Sequence, residues 1–89
     1  MAEYAITFTR SARKELESLE GRIVSVIFPK IENLALMPRP VGCKKLTGGK
    51  SLWQIRCGNY RVIYAINDDA KVIDVIAVRD RQKAYQHLK

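Results

Sequence analysis

The stretch LTGGKSLWQIRCGNYRVIYAI, Leu46 to Ile66, decides how this chain folds. Gly58-Asn59 stands between two runs that alternate in character, the signature of two strands joined by a two-residue turn. Such a loop fixes the register, pairing Cys57 with Tyr60, Arg56 with Arg61 and Gln54 with Ile63. The opposite face then carries Trp53 against Tyr64 and Ile55 against Val62, aromatic and β-branched pairs suited to a core. The arginine pair is the anomaly, because like charges directly opposite each other are unfavourable in a sheet. An anionic ligand is a physical reason to keep them there; two long side chains splaying into water is the plain alternative.

Outward from the hairpin, the charge distribution points the same way. Sixteen Lys and Arg against nine Asp and Glu give a net +7 over 89 residues. No acidic residue lies between Asn33 and Asn67, while Arg39, Lys44, Lys45, Lys50, Arg56 and Arg61 all do. A one-signed segment on a hairpin predicts a surface for a polyanion.

Before the hairpin, Tyr4, Ile6 and Phe8 alternate with Ala5 and Thr7, as in a half-buried first strand over Glu3 to Thr9. Thr9 or Ser11 can cap a helix carrying Ala12, Leu16 and Leu19 on one stripe, and Gly21 is expected to stop it. A second helix is predicted from about Arg22 to Leu36, with Ile23, Ile27, Ile31 and Leu34 facing inward and Val24, Phe28 and Ala35 beside them. Pro29 inside it predicts a kink or break, since an interior proline costs about 3 kcal/mol. Pro38-Arg39-Pro40 ends the helical region, and Lys44, Lys45 and Lys50 lie on a flexible basic approach to the hairpin. After a turn at Asn67 to Ala70, Lys71 to Arg79 is apolar nearly throughout, as in a strand within a sheet. A three-residue loop would place Arg79 on the face of Arg56 and Arg61, and a four-residue loop would place Asp74 there; the sequence leaves both open. Asp80 to Lys89 is long enough for a short terminal helix carrying Arg81, Lys83, Tyr85 and His87.

The order is thus β-α-α-β-β-β, which predicts an α+β fold with two helices on one face of a four-stranded, mainly antiparallel sheet and a short C-terminal helix. The length suits one domain over residues 1–89. No segment approaches the run of about 18 apolar residues that spans a membrane, and MAEYAITFTR lacks the pattern of a secretory signal, so a cytoplasmic location is expected. Two cysteines, Cys43 and Cys57, and the single His87 make no zinc ligand set, and no metal or cofactor is expected.

An open arginine-bearing face suits a particular chemistry. RNA carries its own nucleophile, the ribose 2′-hydroxyl, so cleavage needs only proton transfer and positive charge around the phosphorus. Arginine suits the charge and not the proton transfer. Tyr85, His87 and the lysines are the proton-moving candidates; each also has a plain reading, Tyr85 as an anchor against the sheet and His87 as a solvated residue.

The succession KLTG, LWQIRCGNYRVIYAI and an apolar strand ending in VRDRQKAY, together with the opening TFTRSARKELESL, resembles the RelE/ParE superfamily of toxins from bacterial type II toxin–antitoxin systems, and RelE within it. The resemblance implies a metal-independent endoribonuclease that cuts mRNA in the ribosomal A site and arrests translation. Carried over by position, it implies catalytic roles for Arg56, Arg61, Arg81 and Tyr85. Lys44, Lys45, Lys50, Gln54, Arg79 and Lys83 complete the RNA-facing set, the first three contacting ribosomal RNA by charge. Gln54 stands where some members carry a lysine credited with proton transfer. The implied partners are a cognate RelB-like antitoxin, the ribosome and mRNA, and operator DNA through the antitoxin, with no membrane. The alternatives are a ParE-like inhibitor of DNA gyrase without ribonuclease activity, and a non-catalytic RNA-binding module.

Overall fold

The structure, a computed structural model, describes residues 3–46 and 51–80. Its elements run β1 (Ala5–Phe8), α1 (Arg10–Glu17), α2 (Gly21–Asn33), β2 (Lys44–Lys45), β3 (Leu52–Cys57), β4 (Tyr60–Asn67) and β5 (Val72–Asp80). The sheet has the order β1-β5-β4-β3-β2. All neighbours are antiparallel except β1, which returns through the helices to lie parallel to β5. The expected α+β architecture is therefore present, with five strands instead of four. The extra one is β2, where Lys44 and Lys45 pair with Gln54 and Trp53. Two residues leave no alternation to read, so this strand has no sequence signature. The expected C-terminal helix lies outside the described residues.

The hairpin has the register its turn dictates, with Arg56 opposite Arg61 and Trp53 opposite Tyr64. Gly58 has φ +63° and Asn59 is not left-handed, which matches a type II′ turn with glycine at its first central position. One face of the sheet contributes Ile55, Cys57, Val62, Tyr64, Ile66, Ile73, Val75 and Val78 to a continuous core, closed by Ala12 of α1 and Ile27, Ile31 and Leu34 around α2. The buried side of α2 is the stripe expected from its spacing, apart from Ile23, which is half-buried. Tyr64 is the largest fully buried side chain, and its hydroxyl donates to the Pro38 carbonyl at 2.7 Å. That bond answers the polar tip of an otherwise apolar burial.

Gly21 as a stop and Pro29 as a break both fail, for physical reasons. Gly21 does not stop α1, which ends at Ser18 in an ordinary right-handed conformation; Gly21 opens α2 instead. Pro29 does not break α2, which continues to Asn33. The Pro29 ring lacks the N–H that Ser25's carbonyl would accept, and both residues lie on the exposed side, where water can hydrate that carbonyl. The helix then tightens into i→i−3 bonds through Leu36, short of the expected regular helix to that residue.

Helix α1 is fastened to β5 by two side chains. The Thr9 hydroxyl oxygen accepts from Ala12 N at 3.1 Å as an N-cap, and the same hydroxyl donates to the Ile76 carbonyl at 2.9 Å. Glu15 accepts from Val78 N at 2.9 Å, beyond the point where β1 stops covering the strand. The edge of β5 is thereby satisfied by a helix side chain.

Candidate functional site

The open face is assembled by register. Across three adjacent strands, Arg56, Arg61 and Arg79 form one row, since Arg61 pairs with both neighbours. The next row along carries Lys44, Gln54, Ile63 and Ala77. Among the described residues neither helix covers this face.

Arg79 reaches that row because β5 contains a bulge. The turn into β5 takes four residues, Asp68 to Lys71, and Asn67 then pairs with Val72, which puts Asp74 on the open face. The register slips between Ile63 and Tyr64, leaving Ile76 as the extra residue, and Arg79 comes round to the same face. The two loop readings were alternatives only for a regular strand. With the bulge both Asp74 and Arg79 lie there, and Thr9 secures it by donating to the carbonyl of Ile76.

The members of the face differ in their surroundings. Arg56 is exposed and borders a recess of about 270 Å³ shared with Lys30 and Asn33 at the β3 edge. Arg61 is half-buried in the middle of the row. Arg79 turns towards α1, where its Nε donates to Glu15 at 3.2 Å. Asp74 accepts a hydrogen bond from the Thr7 hydroxyl at 2.9 Å, at the boundary between β1 and β5. Lys44 is exposed on β2 opposite Gln54, whereas Lys45, opposite Trp53, belongs to the helix side by strand parity. The sequence pair Lys44-Lys45 is therefore split between two faces. Lys50, Arg81, Lys83 and Tyr85 lie outside the described residues. Glu15, the partner of Arg79, was missed by sequence reading; its only signal was a half-buried position on the face of α1 that carries Ala12 and Leu19.

Away from this face, the connection from α2 to β2 is clamped across the end of the sheet. Arg39 donates to Asp68 at 2.9 Å, Tyr4 donates to the same carboxylate at 2.6 Å, and the Arg39 guanidinium lies 5.1 Å from the Trp53 ring centroid. The hydrogen bonds from Arg39 and then Tyr4 hold the Asp68 carboxyl below its ordinary range. Trp53 is thus a core-side ring stacked under a cation, not part of the arginine face. Burial raises the Cys57 thiol above its usual range, the opposite of what a nucleophilic cysteine requires. Among the described residues no group of three or more His, Cys, Asp or Glu is gathered in a way that would hold a metal, and no helix is long and apolar enough to cross a membrane.

On the far side, α1 and α2 do not close against each other. Phe8, Leu16, Leu19, Val24 and Phe28 line an open apolar groove of about 830 Å³, with Phe8 and Phe28 stacked at 6.3 Å. Arg13 and Glu17 stand at its rim.

Residues 6–85 match the family described as the ParE toxin of the type II toxin–antitoxin system parDE. The chain belongs to that family. Toxin RelG of Mycobacterium tuberculosis is 27% identical over 84 residues, covering 93% of this chain and 97% of the relative. Among solved structures, the toxin–antitoxin complex RelBE2 of M. tuberculosis superimposes with a TM-score of 0.79 at 28% identity, over 91% of this chain and 94% of that one. The archaeal RelE–RelB complex of Pyrococcus horikoshii OT3 gives 0.79 at 28%, covering 89% and 96%. The intact RelBE toxin–antitoxin complex of Escherichia coli gives 0.76 at 28%, covering 86% and 95%. This chain is a toxin of the RelE/ParE superfamily, and its structural neighbours include complexes with RelB-type antitoxins.

Proposed function

We propose that this toxin cleaves mRNA in the ribosomal A site and thereby arrests translation in the cytoplasm. The observation that carries the reading is the row of Arg56, Arg61 and Arg79 on a face that neither described helix covers. Arg79 flanks the row with its guanidinium on Glu15, and the directly opposed pair of Arg56 and Arg61 becomes more favourable around a phosphate. In cleavage, the 2′-hydroxyl attacks the adjacent phosphorus and the 5′-oxygen departs. Arg61, central and half-buried, stabilises the charge that accumulates on the non-bridging oxygens, and Arg56 holds the same or the neighbouring phosphate. Arg81 and Tyr85 complete the proposed catalytic set. Lys44, Lys50, Gln54, Arg79 and Lys83 make up the surface towards mRNA and ribosomal RNA, from which Lys45 drops out because its pairing with Trp53 puts it on the helix side.

The proposed partner is a RelB-like antitoxin, as in the M. tuberculosis, P. horikoshii and E. coli complexes. Its acidic part would neutralise the arginine face, and an amphipathic segment would fill the groove between α1 and α2. Operator DNA would be bound through the antitoxin.

The matched family is described as ParE, and this favours a second reading, inhibition of DNA gyrase without RNA cleavage. The two are separated by one paired assay of the purified toxin. Programmed ribosomes are incubated with toxin and mRNA ends are mapped, while gyrase supercoiling is measured at the same toxin concentration. Cuts confined to the A-site codon, with supercoiling unaffected, are expected. Intact mRNA together with blocked supercoiling would replace this function with the second one.

A further inference from the structure

We infer that Lys44 is a catalytic proton donor, delivering the proton that the departing 5′-oxygen needs. The inference rests on the RNA-cleavage reading and adds a residue to it. The arginine row supplies charge but no transferable proton, because guanidinium does not deprotonate in proteins. Among the described residues the other ionisable groups near this row are Lys44 and Asp74 on the sheet face and Lys30, which shares the recess beside Arg56 but comes from α2 on the helix side of the β3 edge. Asp74 is tied to Thr7 at the β1–β5 boundary and lies two same-face positions from Arg79 across the bulge, three strands from Lys44. Lys44 is better placed.

The short strand β2 is what puts it there. Pairing with Gln54 holds the two Cβ atoms about 5 Å apart on the open face. Arg56 is the next same-face residue along β3, about 7 Å further on, and Arg61 lies opposite Arg56. A lysine stem spans most of that interval, so the ammonium and the two guanidiniums can converge on one phosphodiester from different sides. Lys45 cannot substitute for it, since its parity sends it towards the helix side, beside Trp53. Gln54 can hydrogen-bond the substrate but transfers no proton.

In the proposed step the 2′-oxygen bonds to phosphorus while the bond from phosphorus to the 5′-oxygen breaks. The 2′-hydroxyl proton passes to water, and the Lys44 ammonium protonates the leaving oxygen. The products are a 2′,3′-cyclic phosphate and a 5′-hydroxyl, and the amine recovers its proton from solvent. Arginine at position 44 would keep the charge and lose the transfer.

The test uses ribosomes programmed with two mRNAs, one natural and one with sulfur in place of the bridging 5′-oxygen at the cleavage site. A thiolate departs without protonation. Lys44→Ala and Lys44→Arg are each expected to slow cleavage of the natural mRNA by about a hundredfold, with the melting temperature unchanged at this exposed position. Both should cut the sulfur-bridged mRNA close to the wild-type rate. Lys44→Ala combined with Gln54→Lys, which moves the amine to the adjoining strand, should recover part of the lost rate. Full activity of Lys44→Arg on natural mRNA, or an equal defect of Lys44→Ala on both substrates, would show that Lys44 contributes charge alone and overturn the inference. Wild-type rates from Lys44→Ala would also overturn it while leaving the RNA-cleavage reading standing. A wild-type toxin that cuts neither mRNA would overturn that reading itself.

Discussion

The two faces of this sheet are built from alternate residues of the same strands, and they do opposite things. On β4, Val62, Tyr64 and Ile66 are buried beneath the helices, while Arg61, Ile63 and Ala65 face the other way. The helix side is an apolar core with one answered polar tip, the Tyr64 hydroxyl on Pro38, and an open groove between the helices above it. The open side gathers like charges in one row, an arrangement that a sheet selected for stability alone would avoid. Neighbours one residue apart thus separate the positions that make stability from those to which the proposed function assigns binding.

That contrast predicts separable consequences for the two sets of residues. Truncating the core should dominate stability: Ile73→Ala is expected to cost about 2–5 kcal/mol in denaturant unfolding, lowering activity only through the loss of folded protein. Within the fastening of α1, Glu15→Ala should cost about 1–3 kcal/mol, because it leaves Val78 N–H without its acceptor and releases Arg79. Gly58→Ala forces a left-handed backbone on a residue with a Cβ and should cost about 1–2 kcal/mol, with the hairpin register retained. The smallest effect belongs to the Arg39–Asp68 clamp. The Asp68 carboxyl is held low in the folded state, so its contribution is complete above the ordinary carboxylate range and disappears as pH falls through the lowered value. Melting temperatures of wild type and Asp68→Asn should therefore differ near neutral pH and converge as the pH falls below the ordinary carboxylate range. A constant difference over that interval would assign the effect to something other than this carboxylate.

The groove between α1 and α2 offers a cross-check on partner and substrate. Phe28→Glu places a charge among its apolar walls and should weaken antitoxin binding by at least about tenfold, as measured by calorimetry, without changing RNA cleavage by the free toxin. A parallel loss of both would mean that the groove and the arginine face are not independent surfaces.

Much of this was legible in the sequence, and the exceptions share a cause. The turn at Gly58-Asn59 fixed the pairing from Leu52 to Ala65 because a two-residue loop admits a single register. Alternation located β1, and helical spacing located the buried side of α2. Strand β5 was different: its residues are apolar on both faces, so alternation could not reveal the extra residue at Ile76 or decide between Asp74 and Arg79. Strand β2 was too short to have a period. Gly21 and Pro29 were read by their average tendencies, which were overridden by the local position of each, one at a helix start and one towards water. In the candidate site, Arg56 and Arg61 followed from the turn. Lys44 could be assigned to a face only once its pairing with Gln54 was known, and Glu15 only once α1 was placed beside the edge of β5.

The most direct test of the arginine face replaces Arg56 and Arg61 together by glutamine and measures two quantities on one preparation. Thermal unfolding should occur at the wild-type temperature or slightly above it, since a like-charge pair has been removed, while A-site mRNA cleavage falls by at least about a hundredfold. A protein that unfolds at markedly lower temperature, or that still cleaves at the wild-type rate, would contradict the account.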